Sequence, residues 1–208
     1  MNGRPRMSNV AQARGRPVKF ADRRHEVLRV AARIFSREGF RQATLAGVAQ
    51  ALDMTRSALY YYAESKDELL AQCAEIARGE LEAALAEAQR EPTGLARLRK
   101  WFVSYASITC DDFGRCFVLT DHSEMSAAEG ERNRASQIRL GRAAADMVRQ
   151  GVRDGTLRGC DPVMASRALY AIFNGMARWH REPQAKAPAE LALEFLDMVF
   201  QGLQSAPE

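Results

Sequence analysis

The sequence predicts an all-α fold, and three observations carry the prediction. Apolar residues recur at three- and four-residue spacing along most of the 208-residue chain. No stretch of useful length alternates with the period of two that a half-buried strand requires. Capping residues (Thr44, Thr55, Ser65 and Asp161) stand where helical patterns begin.

The elements follow in order. Residues 1–21 lack periodicity, carry Arg4, Arg6, Arg14 and Arg16 among Gly and Pro, and read as a disordered basic arm. Val27, Leu28, Ala31, Ile34 and Phe35 predict a helix over 22–38, closed by Gly39 with Phe40 packing back on its end. Thr44 caps a short helix with Leu45, Val48, Ala49 and Leu52 on one face. Asp53-Met54-Thr55 breaks that pattern and opens a third helix, Arg56–Tyr62, with Ala58 and Leu59 inward. Ser65-Lys66-Asp67-Glu68 has the capping-box form and starts a long helix to about Gln89, which Glu91-Pro92 stops.

Beyond Pro92 the period remains helical. Leu95, Leu98, Trp101, Phe102, Tyr105 and Ile108 mark one helix. A segment over 113–120 follows, interrupted by Gly114, and then a helix over 131–153 ending at Asp154-Gly155. Asp161-Pro162 places a cap before a proline at the first helical position of a helix over 161–181, and a last helix covers 188–203.

Charge divides the chain more sharply than composition does. Residues 1–66 hold eleven Arg and two Lys against five acids, a net of +8, while 67–208 hold seventeen bases against twenty-one acids. A basic head on an acidic body suggests a polyanion partner for the head alone. No apolar run approaches the roughly 18 residues that cross a bilayer, so no membrane partner is expected and a cytoplasmic location is. The cysteines at 73, 110, 116 and 160 form no CxxC pair, and His25, His122 and His180 make no ligand cluster, so no metal or cofactor is expected. No GxSxG, HExxH or GxxxxGK[ST] is present, which argues against an enzyme.

Two short helices joined by a tight three-residue turn, in the most basic part of the chain, describe a helix-turn-helix. Its second helix is narrow enough to enter a major groove and presents Arg56, Ser57, Tyr60, Tyr61 and Tyr62 as candidate DNA contacts. Arg56 suits guanine or phosphate, the tyrosine hydroxyls reach phosphates, and Ser57 permits close approach. Thr44 and Lys66 stand at helix N-termini, where free N–H groups and the helix dipole favour phosphate. Arg14-Gly15-Arg16-Pro17 has the form of a minor-groove hook, so Arg14 and Arg16 join the list.

The run TLAGVAQALDMTRSALYYYAESKDELL (Thr44 to Leu70), after FSREGFRQAT, resembles the DNA-binding domain of the TetR family of transcriptional regulators. The resemblance covers about residues 24–72. It implies phosphate contacts at Thr44, Tyr60, Tyr62 and Lys66, and base-edge or mixed contacts at Arg56, Ser57 and Tyr61. Tyr62 stands where most relatives have His or Phe, and Ala63 where most have Phe. The family further implies a homodimer binding an operator in double-stranded DNA and released by a small-molecule effector. On this reading 1–21 is an arm, 22–66 the helix-turn-helix domain, and 67–208 a ligand-binding and dimerisation domain whose last two helices form the dimer interface.

Where the family keeps its pocket, this chain clusters Trp101, Phe102, Tyr105, Phe113, Phe117, Tyr170, Phe173 and Trp179, with Met125, His122 and Asn174 as softer or polar lining. ALYAIFNGMARWHREP (Ala168 to Pro183) resembles the C-terminal helix of a TetR branch that senses acyl-CoA thioesters. That implies an acyl-CoA or another apolar effector, with Arg178, His180 and Arg181 placed either to face a CoA phosphate or to cap the helix C-terminus. The expected function is therefore a ligand-responsive repressor. An activator of the same family is the alternative, as is a helical adaptor for protein partners without operator binding.

Overall fold

The computed structural model describes residues 16–180 and 186–202, with the backbone alone at 16–20 and at His122. Among the described residues there are nine α-helices, one 3-10 turn at His122–Glu124, and no strand. None of these helices is long and apolar enough to cross a membrane.

Helix α1 (Arg16–Glu38) starts six residues before the expected Asp22. Pro17 permits this, because in the first turn its missing N–H has no intrahelical partner to lose. Arg14 lies outside the described residues and Arg16 begins α1, with nothing described of its side chain. At the far end Gly39 adopts φ +85 and donates to the Phe35 carbonyl, while the Phe40 ring meets Phe35 edge-on at 5.3 Å.

Helices α2 (Leu45–Ala51) and α3 (Arg56–Leu59) form the helix-turn-helix, each with its threonine cap in place. Thr44 Oγ1 accepts from Gly47 N at 3.0 Å, and Thr55 Oγ1 from Ala58 N at 3.2 Å. Asp53 turns the chain between them in the left-handed region, φ 52, which Asp tolerates better than most residues. Helix α3 is shorter than the expected Arg56–Tyr62. Past Leu59 the chain tightens into i to i+3 bonds, Tyr61 N to Ala58 O and Tyr62 N to Leu59 O.

Ser65 caps α4 (Lys66–Ala88) through Glu68 N. The returning half of the box reaches one residue further than the simple form, since Glu68 Oε2 accepts from Glu64 N at 2.7 Å. Helix α4 then runs from the head into the body, packing on α1, α5 and α6.

Helix α5 (Gly94–Cys110) is the spine of the body, in contact with α4, α6, α7, α8 and α9. Helix α6 (Asp112–Leu119) continues through Gly114, contrary to the expected interruption. The glycine is there for proximity: a Cβ at 114 would lie 2.0 Å from the Ile108 carbonyl oxygen. Gly94 plays the same part where α5 crosses α7, its would-be Cβ 2.0 Å from Gly151 N. Helix α7 (Ala127–Arg153) begins before the expected Glu131 because Ser126 accepts from Glu129 N. Helices α8 (Pro162–Trp179) and α9 (Pro188–Gln201) complete the body.

One apolar core runs through head and body, from Val27, Phe35, Val48 and Leu59 to Trp101, Phe102, Phe173 and Leu196. A buried ion pair crosses it where Glu129 of α7 meets Arg78 of α4, with Glu75 and Arg132 completing the network. Burying either charge alone is expensive, so the pairing fixes the α4–α7 contact.

Candidate nucleic-acid interface and ligand cavity

Helix α3 is anchored by one residue and offers the rest. Leu59 is 1% exposed, and Arg56, Ser57, Tyr60 and Tyr61 lie outward, with Tyr61 76% exposed. The Arg56 guanidinium lies 5.8 Å from the Tyr60 ring centre, so a cation–π contact holds the arginine over the helix. Core packing does not account for a tyrosine this exposed at the tip of a four-residue helix.

Two expected contacts are placed differently. Tyr62 is half-buried against the head core, its ring edge-on to Tyr61 at 5.8 Å, because the tightened turn swings it off the outer face. Lys66 is directed inward. Its ammonium donates to the carbonyls of Phe40, Arg41 and Ala43 at 2.9, 3.3 and 3.4 Å and sits over the Phe40 ring. Three N–H protons meet three carbonyls, so the side chain clamps the α1–α2 corner, while Thr44 is exposed. The arm positions Arg14 and Arg16 lie outside what is described of side chains.

In the body, the expected lining separates into two sets. A cavity of about 200 Å³ lies between α5, α6, α7 and α8, and Tyr105, Phe117, Tyr170 and Asn174 line it as expected. Val118, Gln137 and Leu140 complete it, and sequence reasoning missed them as lining. Leu140 reads as core from periodicity, and Gln137, at the exposed rim three residues before it, carries no apolar signal. Tyr105 donates to Asn174 Oδ1 at 2.6 Å. Trp101 Nε1 donates to the Tyr170 hydroxyl, which donates onward to the Leu140 carbonyl, both at 3.0 Å. Burial pushes both tyrosines well above the ordinary phenol range, so these are neutral hydroxyls.

The remaining expected lining residues lie elsewhere. Trp101, Phe102 and Phe173 are fully buried packing, Phe102 stacked on Phe173 with centroids 4.9 Å apart. Phe113 packs at the α1–α6 junction against His25, and Met125 is buried beside Asn133. Arg178 and Trp179 are exposed, Trp179 at 47% and edge-on to Phe195 of α9. They stand five and six residues after Phe173, which rotates them about 120–140° from its inward direction. The side chain of His122 lies outside the described residues.

The cysteines are all free thiols. Burial pushes Cys116 up to about 12 and raises Cys110, which leaves little thiolate for redox chemistry. No group of three or more His, Cys, Asp or Glu among the described residues could hold a metal ion.

Comparison with known proteins covers both halves of the chain. Residues 27–73 match the family model of bacterial regulatory proteins of the tetR family, and residues 91–203 match that of the tetracyclin repressor-like C-terminal domain. The fold is shared with the TetR-family regulator PfmR from Thermus thermophilus, at 27% identity and TM-score 0.77 over 86% of this chain and 99% of that one. It is shared too with the ketosteroid regulator KstR2 of Mycobacterium tuberculosis, at 19% identity and TM-score 0.79 over 88% and 96%. AibR, solved with isovaleryl coenzyme A and operator DNA, matches at 18% identity and TM-score 0.75 over 86% and 98%. No curated protein sequence matches the chain.

Proposed function

The chain belongs to the TetR family and is a DNA-binding transcriptional regulator, not an enzyme; from that premise we propose that it is a ligand-responsive repressor acting as a homodimer on a palindromic operator. The observation that carries the reading is the aromatic-lined cavity of about 200 Å³ between α5, α6, α7 and α8. It lies among the helices that fix the attitude of α4, and α4 carries the head.

The effector is a small, largely apolar molecule, and the acyl end of a CoA thioester is the first candidate. A volume of about 200 Å³ falls below the 300–1,000 Å³ usual for a complete ligand pocket, so a thioester would bury only a short acyl group there. The isovaleryl group in the ligand of AibR is of that size. Asn174, whose Oδ1 is occupied by Tyr105, keeps its amide protons for the thioester carbonyl. A ligand that fits one head spacing better than the other lowers operator affinity by linkage.

The experiment is a paired titration on an operator selected from a random DNA pool. Short acyl-CoA thioesters should raise the melting temperature with concentration and release the operator, the two effects reciprocal in free energy. Asn174→Leu, which fills the cavity and removes the donor, should blunt both and leave DNA binding intact without ligand. Release by free small aromatic compounds while thioesters do nothing would reject the thioester and keep the repressor.

A further inference from the structure

A second cleft, of about 600 Å³ and strongly polar, opens between α1 and the α5–α6 corner, apart from the DNA face and from the aromatic cavity. Arg29, Arg33 and Arg37 line it from successive turns of α1, Arg115 from α6, and His180 from the end of α8. Two of the four guanidinium charges are met. Arg29 pairs with Asp111 at 3.1 Å, and Arg33 takes both oxygens of Asp112 at 3.2 and 2.8 Å. Arg37 and Arg115 have no carboxylate partner among the described residues, so the cleft keeps a positive excess.

Its inner wall holds buried polar atoms with nothing to meet. Arg115 donates through Nη2 to the His180 carbonyl at 2.9 Å, and its Nε is buried without a partner. His180 is 4% exposed. Its Nε2 faces the Lys186 carbonyl at 3.3 Å, and a carbonyl only accepts, so Nε2 carries the hydrogen. In the neutral ring Nδ1 is then an acceptor, and it is buried and unpartnered. Native proteins rarely leave such atoms unmet, and a group that satisfies them has a definite composition. It brings an oxyanion for Arg37 and Arg115 and, next to it, a hydroxyl for Nδ1.

We propose that this cleft binds a hydroxylated phosphate ester, its phosphate between Arg37 and Arg115 and a neighbouring hydroxyl donating to His180 Nδ1. The planar guanidinium fork takes oxyanion oxygens two at a time, and a phosphate has three free oxygens to share between Arg37 and Arg115, where one carboxylate has only the two that a single fork fills. The ligand spans the molecule's two parts, since Arg37 belongs to the first helix of the head and Arg115 and His180 to the body. Bound phosphate therefore adds to the Arg29 and Arg33 ion pairs that already tie α1 to α6, and opposes a change in their relative angle. The site stands whatever effector fills the aromatic cavity.

Ribose 5-phosphate is a suitable probe, titrated calorimetrically into the full chain at fixed ionic strength. It should bind more tightly than inorganic phosphate, and at least about tenfold more tightly than citrate, which offers charge without phosphate geometry. Arg37→Gln, at an exposed position, and Arg115→Gln should each weaken binding about tenfold, the loss of one charge-assisted contact. Arg56→Ala, on the DNA face, should leave it unchanged. Absence of ribose 5-phosphate binding to the wild-type chain would overturn the proposal, as would equal affinity for citrate. Binding lost in Arg56→Ala but kept in a folded Arg37→Gln variant would also overturn it, by moving the phosphate to the DNA face.

Discussion

At the residue scale the proposed DNA face rests on a few exposed side chains. Arg56 stands outward on α3 and Tyr61 on the turn just past its end, while Leu59 is the buried residue of the helix. Arg56→Ala and Tyr61→Ala should each cost about 1–3 kcal/mol of operator affinity and alter base preference, with melting unchanged. A gel-shift titration at constant salt checks both, and unaltered affinity would remove α3 from the groove. Lys66 calls for a different expectation, because its ammonium is occupied by three carbonyls at the α1–α2 corner. Lys66→Ala should lower stability by about 1 kcal/mol, about 2–4 °C in melting temperature, and leave the salt slope of DNA binding as it is. A slope reduced by about one phosphate would show instead that the side chain turns outward on DNA. This residue also marks what the sequence conceals. Position and charge at a helix N-terminus are legible, but which way a flexible four-carbon stem turns depends on carbonyls twenty-three to twenty-six residues away.

At the element scale, caps and periodicity are local and are read well. Thr44, Thr55, Ser65 and Asp161 each accept the backbone bond their position predicts. What stays hidden is set by contact between elements. Gly114 looks like a helix breaker, yet α6 needs it because the end of α5 approaches within the space of a methyl group. Gly114→Ala should therefore destabilise by about 1–3 kcal/mol, as overpacking does, even though alanine is the better helix former. A variant that melts at or above the wild-type temperature would refute the close approach. The cavity is legible to the same degree: Tyr105, Phe117, Tyr170 and Asn174 announce themselves, whereas Trp101, Phe102 and Phe173 share their composition and are packing. A tertiary hydrogen bond ties the α7–α8 turn to α5, Asp154 Oδ2 accepting from Gly94 N at 2.8 Å. The Thr156 hydroxyl and that N–H hold the Asp154 carboxyl below its ordinary value, so its stabilisation is present above about pH 4 and fades as pH falls through the lower folded value. The melting-temperature gap between wild type and Asp154→Ala should accordingly be open at pH 6 and narrow as the pH is lowered below about 4.

At the scale of the whole molecule, the α8–α9 side is the least explained by a single chain. Val163, Met164 and Trp179 on α8 and Leu193, Met198 and Val199 on α9 are each between 41% and 59% exposed. Large apolar side chains gathered on one pair of helices, rather than scattered, mark a surface that another surface covers. A second copy is the occupant that the proposed homodimer requires, and a four-helix contact through α8 and α9 would put Arg178 and Trp179, outside the cavity in one chain, at the joint between two. The double variant Leu193→Glu and Val199→Glu should be monomeric by sedimentation, with its helical content intact, because both positions lie outside the core. Two heads joined in one body contact twice the phosphates of one. The slope of log affinity against log salt should then fall to about half in the monomer, and the remaining binding should no longer depend on the spacing between half-sites. A variant that stays dimeric would shift the interface away from α8 and α9. One that is monomeric yet keeps the full salt slope would mean that a single head, with its basic arm, makes all the phosphate contacts.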